Sequence, residues 1–450
     1  MRTRTFRSEA TVAVVLVVFF VISQRLWGDS SLEAWKKNED SAAAASKAAH
    51  FADAERLLLQ NQKLAETFPS KDARLPRTLF DLAQVYRAEG KYAESLPLYQ
   101  RALQIYTTLY GSQSEELAQT LNAQAELYKS LGDYGHAEPL MITALEMRRK
   151  IPQKDGPDLA QSENDLGELY VETGAFSKAE PLIQDALSIR KNAGSETSDV
   201  AQSLEALGLL YKSTGRGKDA EQSFRQAASI YGKTLGGEHP DYANALENLA
   251  VLCQSHRDFT TAEPLMLRVL EIRKAAFGPE HRDVATSLDA LASLKRDEGK
   301  SKEAASLFEQ ALALWEKILG ADSPELAPDL NNLGAVYELG PERQKAEPLF
   351  LRAISIDEKA IGPESPDVAT DLNNLGLLYV LSQRYQEAAN IYQRALNIQV
   401  KALDPTDPAI AQTMHGYAFA LTGLGRKTEA KQMEKRAEAI SSPSQSVQGK

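Results

Sequence analysis

Hydrophobic and small residues recur along the chain at helical spacings, and the same spacings return every 42 residues. One face carries Leu, then Gly or Ala, then Tyr at positions i, i+1 and i+4, as in Leu375, Gly376 and Tyr379. These positions share one side of an α-helix, and the small residue lets a neighbouring helix approach closely. A second face follows with Ala and a large apolar residue four positions later, as in Ala220 and Phe224. The pattern predicts two amphipathic helices in each period.

The period defines eight units, which keep their register apart from one slip of a single residue. The predicted units are residues 76–109, 118–151, 160–193, 201–234, 243–276, 285–318, 327–360 and 369–402. We also predict a degenerate helical hairpin over 31–68, a capping hairpin with a polar outer face over 411–440, and a disordered tail over 441–450. Each hairpin leaves an apolar face that only a stacked neighbour can bury, so the chain is expected to form one continuous array.

Some units depart from the pattern. Cys253 and Lys295 replace the tyrosine, and Arg257, Pro341 and Gln383 replace a glycine that ends the first helix in most other units. We expect these departures to weaken individual units without disrupting the array. Cys253 is the single cysteine and is expected to be a buried structural residue.

The two faces together resemble the tetratricopeptide repeat, with its W-x-x-L-G-x-x-Y and A-x-x-x-F-x-x-A signature. Segments such as "GGEHPDYANALENLAVL" and the 42-residue period resemble the kinesin light chain subclass, over residues 76–440. The resemblance implies an all-α, right-handed solenoid of stacked helical hairpins, a superhelix whose first helices line a concave groove. It also implies that the groove binds a peptide segment of another protein.

Asparagine recurs in two adjacent columns just before the leucine of the first helix. One column holds Asn122, Asn164, Asn331 and Asn373, and the next holds Asn248, Asn332 and Asn374. Asparagine is a poor helix former, so its repeated use inside helices needs a reason. An amide both donates and accepts hydrogen bonds, and the resemblance implies that these amides contact a bound peptide. The alternative is that they bridge adjacent hairpins, and both roles stay open.

A third column, one residue after the tyrosine, is basic in four units, at Arg87, Lys129, Lys212 and Arg296. Such a column could form a stripe that favours an acidic peptide. Isolated, solvated surface charges are the commoner outcome for residues of this kind.

The N-terminus has the features of a membrane segment. A basic flank over residues 1–9 contains Arg2, Arg4 and Arg7, and an apolar stretch follows over 10–27. At a rise of about 1.5 Å per residue this stretch covers roughly 27 Å as a helix, close to the thickness of a bilayer core. We favour an uncleaved single-pass transmembrane anchor, with a cytoplasmic N-terminus and an extracytoplasmic array. The alternative is a cleaved signal peptide and a secreted or periplasmic protein.

Charge and motifs limit the remaining functions. The net charge of −11 argues against a nucleic-acid partner, and one cysteine excludes an intrachain disulfide and a cysteine-based zinc site. The sequence contains no paired-histidine metal motif, dinucleotide fingerprint, phosphate loop or nucleophile elbow. We therefore expect no catalysis, cofactor, metal or small-molecule substrate. The leading hypothesis is a membrane-tethered scaffold that binds a protein or peptide of unknown identity; the alternatives are a self-assembling structural solenoid and an accessory subunit of an enzyme complex.

Overall fold

The computed structural model of the protein describes residues 30–46, 50–151 and 156–441. The predicted membrane segment over 10–27, its basic flank and residues 442–450 of the predicted tail lie outside these ranges. Among the described residues, no helix combines the length and the apolar character that crossing a membrane requires.

The described residues form twenty α-helices and two 3-10 helices, and they contain no strand. In chain order the α-helices are α1 (residues 30–46), α2 (Phe51–Ala65), α3 (Arg74–Ala88), α4 (Tyr92–Tyr110), α5 (Glu115–Ser130), α6 (Tyr134–Lys150), α7 (Pro157–Glu172), α8 (Phe176–Ala193), α9 (Ser198–Ser213), α10 (Gly217–Thr234), α11 (Pro240–Ser255), α12 (Phe259–Phe277), α13 (Arg282–Asp297), α14 (Ser301–Leu319), α15 (Ala327–Glu338), α16 (Ala346–Ile361), α17 (Pro366–Leu381), α18 (Tyr385–Ala402), α19 (Pro408–Gly423) and α20 (Lys427–Ser441). The 3-10 helices Pro324–Leu326 and Arg343–Lys345 precede α15 and α16.

The helices belong to two compact units that divide between Arg216 and Gly217. In the first unit, α3, α5 and α7 each pack against the helix that follows as an antiparallel hairpin, and α4, α6 and α8 also pack against the next first helix. We call the odd-numbered helices the first helices and the even-numbered helices the second helices. One core cluster shows the arrangement, because Ala83 of α3, Tyr99 of α4 and Leu127 of α5 are buried together.

The second unit repeats this packing from α10 to α20. Its large core cluster runs without a break from Ala292 in α13 to Ala437 in α20. Phe308 and Phe350 are among the largest fully buried side chains, and each belongs to the apolar face predicted for a second helix. Since each second helix fills the space between two first helices, neighbouring hairpins share one core.

The small residue of the first helix allows this close packing. A Cβ atom added to Gly334 would lie 2.5 Å from Cε1 of Phe350, and one added to Gly376 would lie 2.8 Å from Cζ of Tyr392. Real Cβ atoms do not approach other atoms so closely in a packed core. The contacts confirm the role predicted for this position.

Several departures from the repeat pattern are accommodated. Arg257 and Gln383 adopt the left-handed conformation of the glycine they replace, with φ of 61° and 59°. Tyr379 donates from its hydroxyl to Glu347 on the preceding second helix at 2.8 Å, and Lys295, in the position of such a tyrosine, instead pairs through Nζ with Glu263. This ion pair gives Lys295 a contact with the preceding second helix, which the sequence did not predict. Cys253 is buried and free, and burial raises the pKa of its thiol.

Candidate partner-binding surface

The asparagines of the second unit connect consecutive first helices. Asn331 of α15 donates from Nδ2 to Oδ1 of Asp371 in α17 at 2.6 Å, and its own Oδ1 accepts from Asn374 of α17 at 3.2 Å. Asn373 of α17 donates to Oγ1 of Thr413 in α19 at 2.8 Å. These three amides therefore bridge adjacent hairpins, which is one of the two roles left open by the sequence.

The asparagines of the first unit hydrogen-bond to carboxylates. Asn122 of α5 is only 8% exposed and donates from Nδ2 to Oδ2 of Asp165 in α7 at 2.6 Å. Asn164 of α7 is fully buried and donates to Oε1 of Glu168, one turn later, at 2.6 Å. Asn122 thus also joins two first helices, whereas Asn164 is held within its own helix.

The two remaining candidates, Asn248 of α11 and Asn332 of α15, are half-buried. They stand in the same column as Asn374, on the same side of their helices.

The basic column does not present four free charges. Lys129 of α5 lies with Nζ 3.2 Å from Glu126, 3.6 Å from Glu168 and 3.9 Å from Glu172, and its side chain is only 14% exposed. We call Glu126, Asp165, Glu168 and Glu172 the acidic cluster. Carboxylates thus surround a side chain that sequence reasoning treated as part of a basic stripe.

The other three basic residues have different surroundings. Arg87 donates from Nε to Gln84 at 3.3 Å, and Arg296 lies with Nε 3.4 Å from Oδ1 of Asp297. Lys212 is exposed on α9. The neighbours of Lys129 and Arg296 leave little positive charge along this column to favour an acidic peptide.

Burial and mutual repulsion perturb the acidic cluster. Burial raises the pKa of Glu168 to about 7, and it also raises the pKa values of Asp165 and Glu126 against the opposing charge of Lys129. Burial alone would lower the pKa of Lys129, but Glu126, Glu168 and Glu172 outweigh it and raise that pKa. The cluster has more carboxyl groups than its one lysine can pair with.

The first helices of the second unit present apolar side chains instead. Leu339, directly after α15, is 75% exposed, and Phe419 of α19 is 60% exposed. Leu377 and Leu381 of α17, the helix between them, are also exposed. Sequence reasoning missed these residues, although a signal exists. The position two residues after the repeat leucine holds Glu126 and Glu168 in α5 and α7 but Leu209, Leu377 and Phe419 in α9, α17 and α19.

Buried polar side chains also connect second helices to the following first helices. Arg148 of α6 donates from Nη1 to Oγ of Ser162 in α7 at 2.6 Å, and Arg273 of α12 donates to Ser287 of α13 at 2.8 Å. The corresponding pair between α16 and α17 is Asp357 and Asp371, two carboxyl groups whose negative charges repel each other. Burial first, and then the neighbouring carboxylates Asp357 and Asp367, raise the pKa of Asp371 to about 7, against a hydrogen bond from Asn331 that lowers it.

No cluster of three or more histidine, cysteine, aspartate or glutamate side chains among the described residues is arranged to hold a metal ion. The described part of the first-helix surface offers hydrogen-bonding amides, carboxylates and exposed apolar side chains, which are groups suited to contacting another polypeptide.

Comparison with solved structures gives several similar helical-repeat proteins. One is the kinesin light chain TPR-like repeat protein of Podosopora anserina, which is 25% identical over 47% of this chain and all of its own, with a TM-score of 0.42. Another is BtubC (BKLC) of P. vanneervenii, which is 24% identical over 54% of this chain and 92% of its own, with a TM-score of 0.43. A Rap protein in complex with competence and sporulation factor is 15% identical over 82% of this chain and 98% of its own, with a TM-score of 0.49. No curated protein is similar to the chain in sequence.

The sequence also matches a family model that covers most of its length. The model is that of the tetratricopeptide repeat, and it matches residues 74–150, 136–192, 199–275, 257–317, 283–359, 342–399 and 372–442. The matched segments span the helices from α3 to α20, which pack as the hairpins described above. The chain belongs to the tetratricopeptide repeat family.

Proposed function

We propose that this protein is a non-enzymatic interaction scaffold that binds a segment of a partner protein along its first helices. The observation that carries this proposal is the set of exposed apolar side chains in the last turns of α17 and α19 and directly after α15, three consecutive first helices: Leu339, Leu377, Leu381 and Phe419. Grouped apolar side chains on a folded surface commonly mark an interaction site. Asn331, Asn373 and Asn374 lie on the same helices and rigidify the surface by bridging them.

The partner segment packs apolar side chains against this surface. Membership of the tetratricopeptide repeat family supports a protein, and not a small molecule, as the ligand. The asparagine amides act first as bridges between hairpins. Peptide contact by these amides is a further part of the proposal, since an amide oxygen can accept a second hydrogen bond.

Capture of partners by the full-length chain in detergent tests the binding surface. The test variant carries Leu377→Ser and Phe419→Ser, and the control carries Leu351→Ser and Val400→Ser, which alter exposed apolar residues on the second helices α16 and α18. We expect at least one protein to be captured by the wild type and the control but lost with the test variant. Identical capture by all three would place binding elsewhere, and self-association without any partner would favour the structural solenoid.

We also propose that residues 10–27 anchor the protein in a membrane. The support is the apolar stretch behind Arg2, Arg4 and Arg7. Alkaline extraction of membranes from cells that make the full chain should leave it in the pellet, and deletion of residues 1–29 should release it. A shortened N-terminus in the mass spectrum of the mature protein would indicate signal cleavage instead.

A further inference from the structure

The acidic cluster between α5 and α7 is short of positive charge. Four carboxylates, Glu126, Asp165, Glu168 and Glu172, lie around one lysine, and Lys129 is within 4 Å of three of them. Arg87 and Arg190 act on the cluster from further away and favour the charged forms of Glu126 and Asp165. The guanidinium of Arg190 is itself held by Ser203 and Gln161, at 2.7 Å and 2.6 Å.

The same site is short of hydrogen-bond donors. Oδ1 of Asn122, Oδ1 of Asn164 and Oε1 of Glu126 are buried, and no group in the described part of the chain donates to any of them. Both asparagine side chains are more than nine-tenths buried, and their amide nitrogens donate to Asp165 and Glu168. An amide oxygen and nitrogen share one carbon, so each unpaired oxygen lies near the carboxylate that its nitrogen contacts. A buried acceptor without a donor costs about 1–3 kcal/mol, so the site favours a ligand that supplies donors.

The site is reached from the surface at its C-terminal end. Glu172, at the end of α7, is 43% exposed at its side chain, and Glu168, one turn earlier, is partly exposed. A side chain of a partner can therefore contact Glu172 and Glu168 from solvent.

A guanidinium group supplies both the positive charge and the hydrogen-bond donors that the site lacks. It carries a permanent positive charge and five N–H donors, and it has no acceptor that would compete with the cluster. Its planar fork bonds to a carboxylate in a bidentate manner, which an ammonium group cannot do. We propose that the acidic cluster receives an arginine side chain of a partner protein. This inference rests on the proposed function and names the chemistry of its partner.

Binding of tri-arginine amide with a fluorescent label tests the inference, with labelled tri-lysine amide as the comparison probe. Fluorescence anisotropy is measured on the full-length chain in neutral detergent. The test variant carries Glu168→Gln and Glu172→Gln. The control carries Glu94→Gln and Glu146→Gln, which remove the same charge from exposed positions on the second helices α4 and α6 of the same unit.

We expect the wild type and the control to bind tri-arginine about tenfold more tightly than the test variant, as the loss of charge-assisted hydrogen bonds requires. Tri-lysine should bind several-fold more weakly than tri-arginine. Equal weakening in the test and control variants would show non-specific attraction and overturn the inference, as would equal affinity for the two probes or no binding to the wild type. If thermal melting shows that the test variant is unfolded, Glu172→Gln alone, at the exposed position, replaces it.

Calorimetry in two buffers of different ionisation enthalpy gives an independent readout. Since the pKa of Glu168 is raised to about 7, this group is about half protonated at pH 7, and an arginine bound beside it should displace up to about half a proton. Binding without proton release would place the arginine away from Glu168 and overturn the inference. The proposed function has its own test: it is wrong if the variant with Leu377→Ser and Phe419→Ser captures the same proteins as the wild type.

Discussion

At the scale of single residues, the amides of the first helices work mainly as connectors. Asn331 donates to Asp371 and accepts from Asn374, so one side chain joins α15 to α17 through two hydrogen bonds. An asparagine is tolerated inside a helix when its hydrogen bonds offset its poor helix propensity. The column of asparagines is therefore explained in large part by the stacking of hairpins.

Replacing Asn331 with alanine should destabilise the second unit. The change leaves the buried Asp371 carboxylate without its amide donor, which costs about 1–3 kcal/mol. Thermal unfolding followed by circular dichroism should show a lower Tm. Asn332→Ala is the matched control, because no described group hydrogen-bonds to that neighbouring side chain. An equal loss in both variants would mean that helix propensity or packing, rather than the bridge, explains the effect.

The Asp357–Asp371 pair should make stability depend on pH. Burial, followed by the charges of Asp357 and Asp367, raises the pKa of Asp371 to about 7 from a usual value near 4. The folded protein therefore holds a proton that the unfolded chain releases, and this pair lowers stability as the pH rises from about 4 to about 7. Asp371→Asn removes the titrating group while keeping an oxygen that can accept from Asn331.

We expect Asp371→Asn to raise the Tm by a few degrees at pH 8 and by less at pH 5. Differential scanning calorimetry at the two pH values measures the difference. Asp322→Asn, at an exposed position of the same unit, should leave the Tm nearly unchanged at both. A larger stabilisation at pH 5 than at pH 8 would contradict the assigned direction of the pKa shift.

At the scale of the element, the unit of structure is a hairpin whose two helices approach most closely at a small residue. The second helix places a ring against that residue, as Phe350 does against Gly334. The same geometry recurs with Tyr392 against Gly376. Close approach at this point lets the ring fill the space between neighbouring first helices.

Gly334→Ala should therefore destabilise the protein. In a solvent-exposed helix this substitution would stabilise the folded state by up to about 1 kcal/mol. Here the new Cβ would lie 2.5 Å from the Phe350 ring, so we expect it to destabilise the folded state by about 1–3 kcal/mol. Gly232→Ala in α10 is the matched control, because its Cβ would lie 3.4 Å from Tyr242, within ordinary contact. Denaturant unfolding should show a loss only for Gly334→Ala. A Gly334→Ala variant that is more stable than the wild type would show that the two helices can move apart at this contact at little cost.

The hairpins could be predicted from the sequence because their determinants are local and periodic. Leu375, Gly376 and Tyr379 define one helix face within five residues, and the repetition removes the ambiguity of a single segment. The bonding of the asparagines could not be predicted in the same way. The partner of Asn373 is Thr413, 40 residues further along, and its identity depends on how two hairpins are staggered.

The candidate surface was predicted less completely for the same reason. The charge of Lys129 was visible in the sequence, but Glu168 and Glu172 belong to the next hairpin and become its neighbours only after stacking. The exposure of Leu377 and Phe419 depends on which helix face neighbouring hairpins leave uncovered. A leucine or phenylalanine in an amphipathic helix is otherwise assigned to the core.

At the scale of the whole molecule, one repeat supports surfaces of different chemistry. The first helices α5 and α7 carry the acidic cluster, whereas α17 and α19 carry exposed leucines and a phenylalanine. The core positions keep the same residue types in both units, so the difference lies in columns that face away from the core. Partners selected by these columns would offer cationic residues to the first unit and apolar residues to the second.

Site-specific photo-crosslinking tests whether the first helices bind a partner protein. A photoreactive amino acid is placed in the full-length chain at Leu377 or Phe419 on the first helices, and at Leu351 or Val400 on the second helices as controls. After irradiation in the native cell, we expect crosslinks to another protein from Leu377 and Phe419. We expect none from Leu351 and Val400. Crosslinks that form only from the second helices, or only to another copy of this chain, would contradict this expectation.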